Sequence, residues 1–151
     1  MGADESVDVR IERVPVEATL ELRQRVLRPH QELSEVVSSR ERAPDAVHVA
    51  ALMPDGTVVG TATVIEQAAP WGAPGWRLRG MATDGGLRGR GIGARLLAAV
   101  VDHVREQGGG LLWCNARIPA IRFYERAGLQ TRGEPWEEPE IGPHVVMWRQ
   151  V

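Results

Sequence analysis

A chain of 151 residues, 43% hydrophobic and 25% charged, is long enough for one domain with a sizeable core and too apolar to stay disordered. Its formal net charge of -2 gives no basis for an electrostatic grip on nucleic acid, and no apolar run approaches the roughly 18 residues of a membrane span. All 18 basic residues are arginine, which excludes a Schiff-base lysine, pyridoxal-phosphate attachment and a phosphate-loop lysine.

Residues 7–14 alternate apolar and polar side chains and predict an edge strand, ended by Pro15. Residues 16–33 predict a helix carrying Leu20, Val26 and Leu27, interrupted near Pro29, and residues 34–42 are polar without a clear period. Residues 47–53 and 57–65 predict a hairpin around Pro54, Asp55 and Gly56, and residues 67–75 are a Pro/Gly/Ala loop. Residues 76–82 predict a strand. Residues 91–107 form the strongest helix pattern, with Leu96, Leu97, Val100, Val101 and Val104 at helical spacing and Gly108–Gly110 as its stop. Residues 111–115 predict a short buried strand. Residues 118–127 predict a helix with Pro119 in its first turn and Gly128 past its end, and residues 129–134 and 145–151 predict two last strands. This order describes one α/β domain over residues 1–151. Its sheet is mixed and mostly antiparallel, of about seven strands, with helices on both faces and parallel strands flanking the long helix.

The most informative stretch is residues 81–94, Met-Ala-Thr-Asp-Gly-Gly-Leu-Arg-Gly-Arg-Gly-Ile-Gly-Ala. It predicts a strand end, a turn, a glycine-rich loop and the first turn of a helix. Unpaired amides and the helix dipole point the same way there, and Arg88 and Arg90 add positive charge, so the loop is an anion site. Three occupants compete: none, with the glycines only allowing close packing; a dinucleotide; or the pyrophosphate of coenzyme A. Gly89 to Ala94 does satisfy G-x-G-x-x-A, but no acidic residue follows on the next strand to hold a ribose.

The third occupant is the one a family resemblance supports. Arg88-Gly-Arg-Gly-Ile-Gly93 resembles the R/Q-x-x-G-x-G/A signature of the GCN5-related N-acetyltransferase (GNAT) superfamily. Leu78-Arg-Gly-Met-Ala82 resembles the strand before that loop. Leu111-Leu-Trp-Cys-Asn-Ala-Arg117 with Ala120-Ile-Arg-Phe-Tyr-Glu-Arg-Ala-Gly128 resembles the next strand and helix. Thr83, Gly85-Gly86 and Leu129 depart from the usual pattern, the first two in ways that would loosen the loop. The resemblance implies a GNAT-like sheet splayed between its fourth and fifth strands. It implies acetyl-CoA as co-substrate, no metal, and acetyl transfer to a primary amine of a small molecule or peptide by direct attack in a ternary complex. A non-catalytic acyl-CoA-binding module of the same fold is the alternative, kept alive by the lack of an evident base.

By the same resemblance, the backbone of Arg88, Gly89, Arg90, Gly91, Ile92, Gly93 and Ala94 binds pyrophosphate, and main-chain groups of Met81, Ala82 and Thr83 bind the pantetheine arm. The N–H of Met81 or Ala82 becomes the oxyanion donor. Tyr124, the chain's one tyrosine, stands at the general-acid position; a phenol with a pKa near 10 stays protonated at pH 7 and can donate to a thiolate. Packing a helix against the sheet is the competing role for Tyr124. Asn115 offers a donor and an acceptor to the pantetheine amides or serves as a strand-end cap.

For the base, His144 has a suitable ordinary pKa of about 6.5, Glu66 follows the third strand, and a water chain is the third option. Arg77 and Arg79 share one strand face and either hold a carboxylate or phosphate of the acceptor or pair with Glu137, Glu138 and Glu140. Cys114 reads as a small core residue; His30, His48 and His103 lack metal-ligand spacing; Trp71 and Trp76 either wall the substrate side or close the core. One cysteine permits no internal disulfide, and the N-terminus lacks a signal-peptide layout, so the expected setting is cytoplasmic. No nucleic-acid or membrane partner is expected, and a homodimer is left open.

Overall fold

The computed structural model describes residues 8–151. Strands β1 (Arg10–Arg13), β2 (Val47–Leu52), β3 (Val58–Glu66), β4 (Trp76–Thr83), β5 (Leu111–Arg117), β6 (Gln130–Glu138) and β7 (Gly142–Gln150) form one sheet in the order β1-β2-β3-β4-β5-β7-β6. Helices α1 (Leu20–Leu27), α2 (Ile92–Glu106) and α3 (Ile121–Arg126) connect them. Every neighbouring pair is antiparallel except β4–β5, which α2 joins as a crossover. Val7, where the first strand is predicted to begin, lies outside the described residues.

α2 and α1 cover opposite faces of the sheet. Along β3, a Cβ on Gly60 would touch Leu96 and Ile92, and Ala62 and Val64 join the same core cluster, so the even positions face α2. Leu96, Leu97, Val100 and Val104 are all but fully buried there with Ala51, Leu78 and Leu112. Each such leucine or valine contributes about 1.5–3 kcal/mol of burial. The odd positions Thr61 and Thr63 face the other way, where Arg23 of α1 donates to the Thr63 hydroxyl at 3.4 Å.

Several predicted bounds shift. The helix predicted over 16–33 is a 3-10 turn (Val16–Thr19) running into the eight residues of α1, and the polar stretch after it holds two more 3-10 turns, Leu33–Glu35 and Arg40–Arg42. β6 and β7 run longer than their apolar residues suggest. They pair across an irregularity between Arg132 and Trp136, where Gly133 has φ 78° and Pro135 cannot donate.

Candidate functional site

The sheet opens where its parallel pair ends. β4 and β5 are in register only at Trp76↔Leu112 and Arg77↔Trp113. Beyond that point the two strands have no partner in each other, although β5 continues on β7 as far as Arg117↔His144. A bulge in β4 accompanies the parting. Gly80 has φ 61°, a left-handed conformation that favours glycine, and the β3–β4 register slips between Thr61↔Ala82 and Thr63↔Arg79. Past the bulge the Asp84 N–H donates to the Val59 carbonyl at 2.9 Å. The alternation of an antiparallel ladder then turns the main-chain groups of Ala82 towards Thr61 and those of Met81 and Thr83 towards the gap.

A cleft of about 360 Å³ lies at the parting. Met81, Asn115, Tyr124 and His144 all line it, as do Arg77 and Arg79. Glu66 does not: it is exposed at the far end of β3, opposite Trp76. His144 is buried against the Trp136 ring, 5.8 Å away and stacked, and its Nδ1 lies 2.9 Å from the Gly142 carbonyl. A carbonyl only accepts, so Nδ1 carries a proton and Nε2 of the neutral ring is left as the acceptor. Tyr124 is buried beside Cys114 and Arg117. Burial and the neighbouring thiol raise its pKa above the ordinary phenol value, so it stays protonated through the neutral range. Burial also pushes the Cys114 thiol up to about 12, which keeps it inert. Asn115 carries a buried side-chain oxygen with no partner among the described residues.

The wall on the α1 side is a buried polar network that the sequence does not announce. Glu41 and Arg23 are 0% and 3% exposed and pair at 2.7 Å. Burial alone would raise the Glu41 carboxyl, but Arg23, the Ser38 N–H and Arg79 outweigh it and hold its pKa below the ordinary value. His48 bridges onward: its Nε2 lies 2.9 Å from the Glu41 carbonyl and its Nδ1 2.8 Å from the Thr63 hydroxyl. The carbonyl fixes the proton on Nε2, so Thr63 donates to Nδ1. Burial, with Arg23 adding to it, lowers the His48 pKa and keeps the ring neutral. The Arg23 guanidinium lies so close to β4 that a Cβ on Gly80 would sit 2.7 Å from it.

Arg77 and Arg79 find partners other than the predicted ones. Arg77 lies over the Trp113 ring at 4.9 Å, and burial, reinforced by Arg79, lowers its pKa to about 10. Arg79 reaches Glu41 at 3.5 Å, not Glu137, Glu138 or Glu140. Trp76 packs on His103 and Trp71 on Trp148, so both close the core and neither lines the cleft.

The glycine loop stands beside the gap. Asp84 caps a 3-10 turn (Gly85–Leu87) by accepting the Gly86 N–H at 3.0 Å, and Gly91 (φ 81°) leads into α2 as its N-cap. Arg88, Gly89, Arg90 and Gly91 are exposed, and the first-turn amides of Ile92, Gly93 and Ala94 have no intrahelical acceptor. A Cβ on Gly93 would press the Phe123 ring at 3.1 Å, so this glycine also serves packing. Among the described residues, no group of three His, Cys, Asp or Glu could hold a metal, and no helix is long and apolar enough to cross a membrane.

Comparison with known proteins agrees with this geometry. Residues 16–129 match the model of the "Acetyltransferase (GNAT) family". The chain is 34% identical over 143 residues to an uncharacterized N-acetyltransferase, YitI, of Bacillus subtilis (strain 168), covering 93% of this chain and 95% of that one. Among solved structures it resembles Escherichia coli ElaA (TM-score 0.77, 17% identity, 93% and 99% covered). It also resembles an aminoglycoside 6'-N-acetyltransferase complexed with coenzyme A (TM-score 0.73, 18% identity, 93% and 96% covered). The fold and the opened sheet are those of an acyltransferase that draws on an acyl-CoA. The chain belongs to the GNAT acetyltransferase family.

Proposed function

We propose that this protein transfers an acetyl group from acetyl-CoA to a primary amine by direct attack in a ternary complex. The observation that carries the reading is the parting of β4 from β5, with Tyr124, Asn115 and His144 gathered on the cleft it opens. The protein's polar groups fit coenzyme A: a glycine loop of exposed amides at a helix start, the main-chain groups of Met81 and Thr83 turned to the gap, and the unpartnered Asn115 oxygen. Acetyl-CoA supplies the acyl group as a thioester.

The residues then divide the work. The loop from Arg88 to Ala94 holds pyrophosphate through its amides, with Arg88 and Arg90 adding charge. Met81 donates its N–H to the reacting carbonyl; Ala82, whose main chain the register turns towards Thr61, holds the strand in place. His144 takes the amine proton on Nε2 as the C–N bond forms. Tyr124 gives its phenolic proton to sulfur as the C–S bond breaks, and regains one from solvent. Arg79 faces the acceptor, whereas Arg77 serves as wall through its contact with Trp113. A cytoplasmic setting belongs to the same reading, supported by one inert, buried thiol.

The test is Tyr124→Phe, which removes a hydroxyl and keeps the ring. Thiol release under chemistry-limited conditions should show kcat lower by about 10²–10⁴, with acetyl-CoA affinity little changed. His144→Ala should flatten the acidic limb of the kcat/KM profile. Near-normal turnover in both variants would return Tyr124 and His144 to packing roles. Acetyl-CoA binding without turnover on any amine would make the protein an acyl-CoA-binding module.

A further inference from the structure

The cleft is strongly positive inside a protein whose net charge is negative. Arg23, Arg28, Arg77, Arg79 and Arg117 line it, against one lining carboxylate, Glu138, and the buried Glu41 behind them. Most of these arginines are spoken for. Arg23 is buried on Glu41, Arg77 lies on Trp113, and Arg117 donates to the Leu27 carbonyl at 2.8 Å. Arg79 spends its Nε on Glu41 and keeps its terminal nitrogens. Arg28, just past the end of α1, has no side-chain partner among the described residues, and Arg23, Arg79 and Arg117 all stand near enough to disfavour its charge, with only Glu138 opposing them.

Five arginines face two carboxylates here, so the repulsion between like charges is only partly offset locally. An oxyanion in the cleft would offset that repulsion and use the idle guanidinium donors in their planar, bidentate geometry. A polycation would add to the repulsion.

We propose that the acceptor is a small amine that also carries an oxyanion, a carboxylate or a phosphate, held by Arg28 with Arg79. This rests on the acetyltransferase reading and narrows it. Acceptors without a negative group, and polyamines above all, are the substrates this cleft discriminates against.

The experiment compares matched amines in thiol-release kinetics: β-alanine against β-alaninamide, O-phosphoethanolamine against ethanolamine, and spermidine as the cationic control. An anionic member should exceed its neutral partner in kcat/KM by 10-fold or more, and which pair shows the larger ratio separates carboxylate from phosphate. Arg28→Gln should raise KM for the anionic amine by about 10- to 100-fold, the usual worth of a charge-assisted hydrogen bond. It should leave KM for acetyl-CoA and turnover of the neutral partner nearly unchanged, and Arg28→Lys should recover part of the loss. Calorimetry of the same amines on the protein, both alone and with coenzyme A, reads the preference without turnover. Neutral amines or spermidine used or bound as well as the anionic ones would overturn the inference while leaving the acetyltransferase reading intact. Failure to bind acetyl-CoA would instead sink that reading, and the calorimetric preference for anions would still decide this one.

Discussion

The two faces of the sheet are built on opposite principles. The α2 face is mainly apolar; its polar features are the glycine loop at the helix start and His103, whose Nδ1 pairs with Arg13 at 2.9 Å. The α1 face is charged and buried: Arg23, Glu41, His48 and Thr63 share one hydrogen-bonded network against β3 and β4. The first face is held by area and tolerates small changes of shape. The second is held by pairing and fails when a partner is removed. The division matches the proposed chemistry, in which the loop on the α2 side would cradle the anion and the α1 side shapes the wall where Arg28 and Arg79 stand.

The sharpest way to break the contrast is Glu41→Ala. It strands the buried Arg23 charge and should cost about 3–5 kcal/mol, measured by denaturant unfolding. A loss below about 1 kcal/mol would mean that the α1 face is not held by the pair. Gly80→Ala comes next. It forces a side chain into a left-handed position and against the Arg23 guanidinium, and strain with overpacking should total about 2–4 kcal/mol. Its effect on catalysis should appear in the acceptor KM.

Gly91→Ala probes the other face. The strain at φ 81° should cost about 1–2 kcal/mol, and a Cβ there meets nothing among the described residues, so weakened acetyl-CoA binding with an unchanged acceptor KM is expected in calorimetry and kinetics. Gly93 is a poorer probe, since Phe123 would have to move.

The smallest effect is a slope. His48 has a lowered pKa in the folded protein, so the unfolded chain binds more protons below its ordinary value of about 6.5, and stability falls as pH drops through that point. Glu41, also lowered, extends the loss further into acid. His48→Gln should remove up to about 1.4 kcal/mol per pH unit of that slope between pH 6.5 and the folded pKa, read as Tm against pH. An unaltered slope would show that the histidine does not report on the network.

The α2 face was legible in the sequence because its signals are local. Apolar residues at helical spacing, three alternating glycines and the hairpin turn at Pro54–Gly56 each need only a short window, and the strand count and the parallel β4–β5 pair followed from them. The α1 network was not legible. Its members stand 18 and 40 residues apart, and no spacing rule links Arg23 to Glu41 or to Thr63. Gly80 hid for the same reason: its left-handed backbone and the guanidinium packed on it, which together exclude a side chain, both belong to the tertiary structure. The sequence leaves Arg79 open between an acceptor anion and Glu137, Glu138 or Glu140, because no local spacing links it to Glu41, the partner that the fold brings to it.

The cleft's positive charge comes from arginine alone, and the chain contains no lysine anywhere. A guanidinium stays protonated at any physiological pH and offers no free lone pair to an acyl carbon. A lysine at position 28 or 79 would supply the same charge but also a nucleophilic amine beside the activated acyl group, in competition with the acceptor. Under the proposed reaction, arginine therefore makes the cleft chemically immune to the transfer: it would attract an anion and still never become the product.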